Sequence, residues 1–296
     1  MKKSTALRHT VGDRIFLTVD WIILSVFLVV ILYPLLYVIS ASFSAGVSTM
    51  GLSLWPTRFS LAGYEAVFKY KDIWTGYANS LFYMAAGTFI ALSVTVCCAY
   101  PLSRSDFKGR GLIMLLCMVT MYFSGGIIPT FLQVRNLGLM NTRLAVLLPG
   151  AMSVYNMIVM RTYFKTQVPG EVLESSRIDG CGNIRYLISI LLPLSVPILA
   201  VTGLFYAVGF WNSYFDAMMY LKVRDKYPLS LVLREILVLN SSDMDTLDVR
   251  DLLLLEERRN VMKYAVIVVA SLPVMLIYPF VQKYFVKGIM IGAVKG

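Results

Sequence analysis

Six stretches of this chain are apolar and free of charge for long enough to cross a bilayer. They are Trp21–Phe43, Tyr77–Leu102, Gly111–Val134, Leu144–Met160, Pro193–Phe215 and Tyr264–Val281. Each reaches the roughly 17–25 residues that a membrane-crossing helix needs. Lipid offers the backbone no hydrogen bonds, so a crossing segment must pair its own N–H and C=O groups, as a helix does. The pattern predicts an all-α integral membrane protein with six transmembrane helices. Pro34, Gly125, Gly126, Pro129 and the pair Pro149–Gly150 interrupt three of the runs. Proline removes a helix hydrogen bond and crowds the preceding turn, so these are either packing kinks or shapers of a translocation path.

Between the fourth and fifth runs, from Arg161 to Pro193, the chain is polar enough to leave the membrane. Pro169 suits a helix start, and Glu171 and Glu174 fall where acids favour the positive end of a helix dipole. Val172, Leu173, Ser176 and Ile178 give that helix a less polar side. Gly180 then ends it, because glycine accepts the left-handed backbone of a helix C-terminus. The segment predicts a short amphipathic helix, a glycine turn and a second helix leading into the fifth run. By itself this is either a docking element or an ordinary interfacial helix.

Composition supports the membrane reading. Hydrophobic residues make up 58% of the 296, mean hydropathy is +0.71, and only 15% of residues are charged, against about 25% in an ordinary soluble domain. Lys2, Lys3, Arg8 and Arg14 precede the first run as they would in a signal peptide. That run has 23 residues, longer than the roughly 7–15 of a signal core, and is read as a retained first span. Six spans place both termini on one side. With that side taken as the cytoplasm, the 27 Lys and Arg divide fourteen inside to thirteen outside. The short loops favour termini inside, and the long third outer loop offsets them. No long basic run marks a nucleic-acid surface. The four cysteines form neither a disulfide framework nor a metal-ligand spacing, and a single histidine, His9, argues against a zinc or haem site.

The end of the fifth run reads FYAVGFWNSYFDAMMY. Trp211 falls about 27 Å beyond Pro193 along a helix rising 1.5 Å per residue, where an interfacial aromatic belt is expected. The other reading is a sugar-facing mouth. Tyr206, Phe210 and Trp211 would offer ring faces, and Asn212 and Asp216 would bond hydroxyls.

The order Glu174-Ser175-Ser176, three residues, Gly180, nine residues, Ile190, one residue, Leu192-Pro193 resembles the EAA signature of ABC importer permeases. All five spaced anchors match, and two serines stand where the signature has alanines. YANSLFY, AYPLSRSDFKGR, RLAVLLPGAMSVYNMIVMRTYF and PFVQKYFVKGIMIGAVKG look like the permeases of MalG-type, binding-protein-dependent carbohydrate importers. GGIIPTFLQVRNLGLMNTR and WNSYFDAMMYL are similar to a branch commonly called YtcP- or LplC-like, linked to oligosaccharides from complex polysaccharides. The likeness is most specific from Tyr77 to Gly296.

The resemblance implies a type I ABC importer permease fold with a cytoplasmic coupling helix. Residues 1–20 would form a cytoplasmic N-terminal segment and 21–296 the permease domain, with its core at about 75–285, coupling loop at about 165–192 and tail at 285–296. Glu174, Ser175, Ser176, Arg177, Asp179, Gly180, Ile190, Leu192 and Pro193 would couple to an ATPase. Gly292, Ala293, Val294, Lys295 and Gly296 would contact it as well. The implied partners are a second, different permease subunit, an ATPase dimer, an extracytoplasmic solute-binding protein, a carbohydrate and the lipid bilayer, with no nucleic acid. The setting would be the bacterial cytoplasmic membrane.

The chain has no G-x-x-x-x-G-K-S/T loop to cradle phosphate. No cofactor is expected on it; ATP and Mg would be used by the ATPase partner, with the permease a non-enzymatic transport subunit working by alternating access. Three other readings stand beside this one: an ABC permease for a peptide, polyamine or phosphonate, an integral membrane enzyme, and a self-sufficient carrier. The enzyme lacks a visible intramembrane constellation, and the carrier lacks clear internal repeats or intramembrane charges.

Overall fold

A computed structural model describes residues 10–44, 55, 59–238, 262–276, 279 and 282. Among these the regular structure is helical apart from one isolated bridge between Ser44 and Phe59. The chain divides into two compact units, residues 1–69 with 244–269, and residues 70–243 with 270–296.

The first unit holds α1 (Val11–Ser42) and α2 (Ala62–Lys69). Thr10 starts α1 with a capping box: its hydroxyl accepts from the Asp13 amide at 3.2 Å, and the Asp13 carboxylate accepts from the Thr10 amide at 2.8 Å. The helix runs through Pro34 for 32 residues, about 48 Å at 1.5 Å per residue. Its last turn is buried, and the Ser42 hydroxyl lies 2.7 Å from that of Tyr64 in α2.

In the second unit α3 (Lys71–Ser103) is the central helix. It is followed by α4 (Arg110–Tyr122), α5 (Ile127–Asn136), the single turn α6 (Leu144–Leu147) and α7 (Val154–Thr166). Then come α8 (Gly170–Ile178), α9 (Asn183–Tyr186), a π-helical turn (Leu187–Leu191), α10 (Leu192–Leu194) and α11 (Val196–Trp211). α12 (Tyr214–Tyr220) and α13 (Leu229–Val238) follow, and a further apolar helix covers Met262–Leu276.

The second unit's core forms where α7, α11 and α13 pack on α3. Met157, Met160 and Phe164 of α7 meet Val96, Ala99 and Leu102 of α3 in one apolar cluster. Tyr83 and Ala91 of α3 meet Tyr206 and Phe210 of α11 in another. Close helix contact depends on small residues: a Cβ at Gly76 would lie 3.1 Å from the Leu229 backbone. Inside this core the Thr95 and Tyr206 hydroxyls are 2.7 Å apart, and the Ser153 amide donates to the same Tyr206 oxygen at 3.0 Å.

Not every apolar run becomes one straight helix. Among the described residues α1 and α3 are long and apolar enough to cross a membrane, and two bent pairs raise the number to four at most. The third run breaks between α4 and α5, which meet at 113°. Gly126 sits at the break with φ +85° and ψ −177°, a backbone that glycine alone adopts freely. The fourth run breaks at Pro149–Gly150, and α7 continues beyond it into the charged residues Arg161 and Lys165. The fifth bends by 84° at Ser195. Pro193 and Pro197 flank that serine, and neither has an amide to give the preceding turn. The sixth run lies partly outside the described residues. The fold is thus all-α, with two to four apolar spans in the described part of the chain.

Candidate functional site

The Pro169–Pro193 segment folds as a helix, a glycine stop and a second, irregular helix. Pro169, at φ −58° and ψ 139°, precedes the first turn of α8, and Glu171 lies in that turn. Val172 and Leu173 are half-buried against the cluster that includes Phe164 and Val168. Ser176 is buried beside them, and its hydroxyl donates to the Leu173 carbonyl at 2.7 Å. Glu174, Ser175, Arg177 and Asp179 are exposed. Ile178 is 87% exposed, which makes an isoleucine the most outstanding apolar side chain of an otherwise polar face. Nine residues thus divide into one face that rests on the core and one that faces outward.

Gly180 ends α8 in a Schellman motif. Its amide donates to the Arg177 carbonyl at 3.0 Å, and the Cys181 amide donates back to the Ser176 carbonyl at 2.8 Å. The glycine itself stands at φ +72°, the left-handed conformation this stop requires. Ile190 and Leu191 lie at the end of the π-helical turn, and Leu192 and Pro193 open the following turn. Pro193 has no amide to donate to the carbonyl four residues earlier, and a π-turn is one way a helix adjusts its ladder. The nine-residue gap between Gly180 and Ile190 therefore separates two structures: the stop of the polar helix and the bend at the base of α11.

Side chains from the α3–α4 connection hold this segment. Arg104 is a buried cation, with its side chain 8% exposed. It donates to both carboxylate oxygens of Asp106 at 3.0 and 2.8 Å, to the Tyr100 hydroxyl at 2.7 Å and to Asn183 Oδ1 at 3.2 Å. Arg177 of α8 donates to the same Asp106 carboxylate. The Arg104 bonds, followed by the Arg177 bond, hold the Asp106 carboxyl well below the usual carboxylate range. The Asp106 bond in turn raises the Arg104 guanidinium above its ordinary value. Arg110 donates to the Arg104 carbonyl and Arg161 to the Leu102 carbonyl, both at 2.8 Å. Arg104, Asp106 and Asn183 were not among the sequence-predicted site residues. Arg104 and Asp106 lie in the AYPLSRSDFKGR stretch, with Asp106 71 residues from Arg177, and Asn183 lies in the gap between Gly180 and Ile190.

The residues expected around a sugar path separate on burial. Tyr206, Phe210 and Trp211 are buried, Tyr206 in the hydroxyl contact with Thr95 and Trp211 with its ring centroid 6.0 Å from that of Tyr77. Asn212 is exposed and donates to the Val208 carbonyl at 2.9 Å, and Asp216 is half-buried. Gly292, Ala293, Val294, Lys295 and Gly296 lie outside the described residues.

At the opposite end of α3, Asn79 and Ser80 of the YANSLFY stretch fix the segment 225–229 that leads into α13. Asn79 donates to the Asp225 and Tyr227 carbonyls at 2.7 and 3.1 Å and accepts from Arg143 at 3.1 Å. The Ser80 hydroxyl accepts from the Leu229 amide at 2.8 Å. No three His, Cys, Asp or Glu side chains cluster as metal ligands among the described residues.

No family model matches the chain. It is 38% identical over 298 residues to Protein LplC of Bacillus subtilis (strain 168), with 100% of both chains covered. It is also 38% identical over 289 residues to the polygalacturonan/rhamnogalacturonan transport system permease protein YtcP of the same organism, covering 96% of this chain and 99% of that one. Among solved structures, a chain from a bacterial ABC transporter involved in the import of the acidic polysaccharide alginate superposes with a TM-score of 0.84. That match has 34% sequence identity and covers 95% of this chain and 100% of the other.

Proposed function

The chain belongs to the MalG-type permeases of ABC carbohydrate importers, and from that premise we propose that α8 is the coupling helix through which a partner ATPase drives it. It is a transport subunit of the cell membrane rather than an enzyme. The observation that carries the coupling reading is α8 itself. It has one face on the core, a Gly180 stop, and an outward face of Glu174, Ser175, Arg177, Asp179 and the exposed Ile178. An isoleucine exposed among polar groups suits a cleft in a partner protein, and Glu174 suits a basic group beside that cleft.

In this reading the chain itself has six spans, with both termini in the cytoplasm. A second, different permease, two ATPase copies and an extracytoplasmic solute-binding protein complete the assembly. ATP and Mg belong to the ATPase. Residues 292–296 add a second ATPase contact, and Ile190, Leu192 and Pro193 transmit motion of α8 into the bend of α11. Asn212 and Asp216 carry the polar part of the sugar path, beside the buried Tyr206, Phe210 and Trp211.

The cargo is an oligosaccharide, and we propose an acidic one. YtcP is named for polygalacturonan and rhamnogalacturonan, and the similar solved transporter imports alginate, an acidic polysaccharide. Oligogalacturonates are therefore the first sugars to assay for stimulation of ATP hydrolysis by the complete transporter.

Cysteine cross-linking tests the coupling reading. Glu174→Cys, in a cysteine-free background, is expected to form a disulfide with a cysteine placed in the ATPase cleft. No cross-link from Glu174→Cys or Ile178→Cys, in a complex that retains its ATPase, would remove the coupling role from α8.

A further inference from the structure

We infer that Asp106 is a positioning residue that locks α8 to the end of α3, so that the two move as one lever. The inference rests on the coupling role proposed for α8. Asp106 sits in the connection between α3 and α4, outside both helices, and is the meeting point of two arginines from different elements. Arg104 approaches from the end of α3 with a two-pronged contact to both carboxylate oxygens, at 3.0 and 2.8 Å. Arg177 approaches from the last turn of α8.

A planar guanidinium that engages both oxygens fixes the carboxylate in orientation as well as position. The Arg104 side chain is itself fixed. It is 8% exposed, bonded to the Tyr100 hydroxyl, and continues to Asn183 on the far side of the Gly180 stop. The two ends of the Gly180 turn are thus tied to one anchor, Arg177 before it through Asp106 and Asn183 after it through Arg104 directly. The apolar underside of α8 sets its distance from the core. Packing of half-buried side chains alone permits sliding, and directional bonds at both ends of the turn oppose it.

This arrangement has a functional consequence. Force delivered to the outward face of α8 reaches α3 through the Asp106 link, and α3 is the helix on which α7, α11 and α13 pack. Without the link, α8 could rock on its apolar face before the spans respond.

Spin labels on Glu171→Cys in α8 and Lys108→Cys in the α3–α4 connection test this, in the complete complex on a cysteine-free background. Distances are read with ADP bound and with ATP bound to a hydrolysis-deficient ATPase. The native complex is expected to give one narrow distance that is the same in both states. Asp106→Asn and Arg177→Gln each lose the narrow peak, the double variant broadens it no further, and Arg177→Lys restores most of it. Transport per ATP hydrolysed is expected to fall by about two- to fivefold in each single variant, the scale of a partly exposed ion pair.

A purely structural Asp106 that only stabilises Arg104 would leave Arg177→Gln narrow, because that variant keeps the Arg104–Asp106 pair. That result overturns the inference, as do additive effects in the double variant. Failure of the Glu174 and Ile178 cross-links would instead overturn the coupling role beneath it, so the two failures are separable.

Discussion

Phe210 of α11 presses on Gly87 of α3 so closely that a Cβ at position 87 would stand 2.6 Å from the aromatic ring. The contact lies in the cluster that includes Tyr83, Ala91 and Tyr206, and the same ring reaches within 3.4 Å of a Cβ at Gly150. Overfilling a packed core costs about 1–3 kcal/mol. Gly87→Ala is therefore expected to lower the melting temperature of the purified complex, with Phe210→Leu partly relieving the loss in the double variant. If Phe210→Leu alone changed the transported sugar while leaving stability intact, the ring would belong to the sugar path before the core.

Gly180 carries a different demand, set by its backbone. At φ +72° a side chain meets the following carbonyl, at a cost of roughly 1–2 kcal/mol. Gly180→Ala is expected to loosen the end of α8, read as faster hydrogen exchange at the amides of Gly180 and Cys181, and to weaken retention of the ATPase. Gly180→Asn is expected to lose less, because asparagine enters the left-handed region more readily. Equal losses for the two variants would mean that glycine's small size, and not its conformation, is what matters there.

These two glycines show what the sequence can and cannot reveal. Gly180 was legible because a polar helix with early acids and a late glycine is a local pattern, and local hydrogen bonds decide its stop. Gly87 was not, since its partner lies 123 residues away on another helix and its meaning is the shape of a ring. The apolar runs foretold α1 and α3 as continuous helices. They did not foretell the 113° and 84° bends, because hydropathy counts residues and carries no direction. Asp106 shows the same limit for the site. A charged loop is ordinarily read as solvated, and only the fold brings Arg177 to it across 71 residues.

Ser175 and Ser176 stand where the signature has alanines, and the structure accounts for their tolerance. Each hydroxyl turns back on its own helix, Ser175 to the Glu171 carbonyl at 2.8 Å and Ser176 to the Leu173 carbonyl at 2.7 Å. Such back-bonding leaves no dangling donor and adds little to helix stability. Ser175→Ala and Ser176→Ala are expected to change stability by less than about 0.5 kcal/mol and to preserve uptake. Ser176→Leu is expected to abolish uptake, because position 176 faces the core at 4% exposure and a larger side chain would lift α8 from it. Uptake that survived Ser176→Leu would show that the seat of α8 has room to spare.

The Asp106 link also fixes a pH dependence. Hydrogen bonds from Arg104, and then from Arg177, favour the charged carboxylate and lower its pKa in the folded protein. An unperturbed aspartate titrates at about 3.9. A lowered folded pKa means that the contribution is complete above that ordinary value and disappears as pH falls through the lowered one. Native protein is therefore expected to melt above Asp106→Asn by a constant margin from about pH 5 to pH 8, with the margin shrinking only below about pH 4. Many other carboxylates titrate in the acid range, so the margin between the two proteins isolates this one. High salt is expected to narrow the same margin, since Asp106 and Arg177 are each half exposed to solvent and their attraction is screened. A margin that salt leaves untouched would assign the stabilisation to the buried Arg104 contact alone.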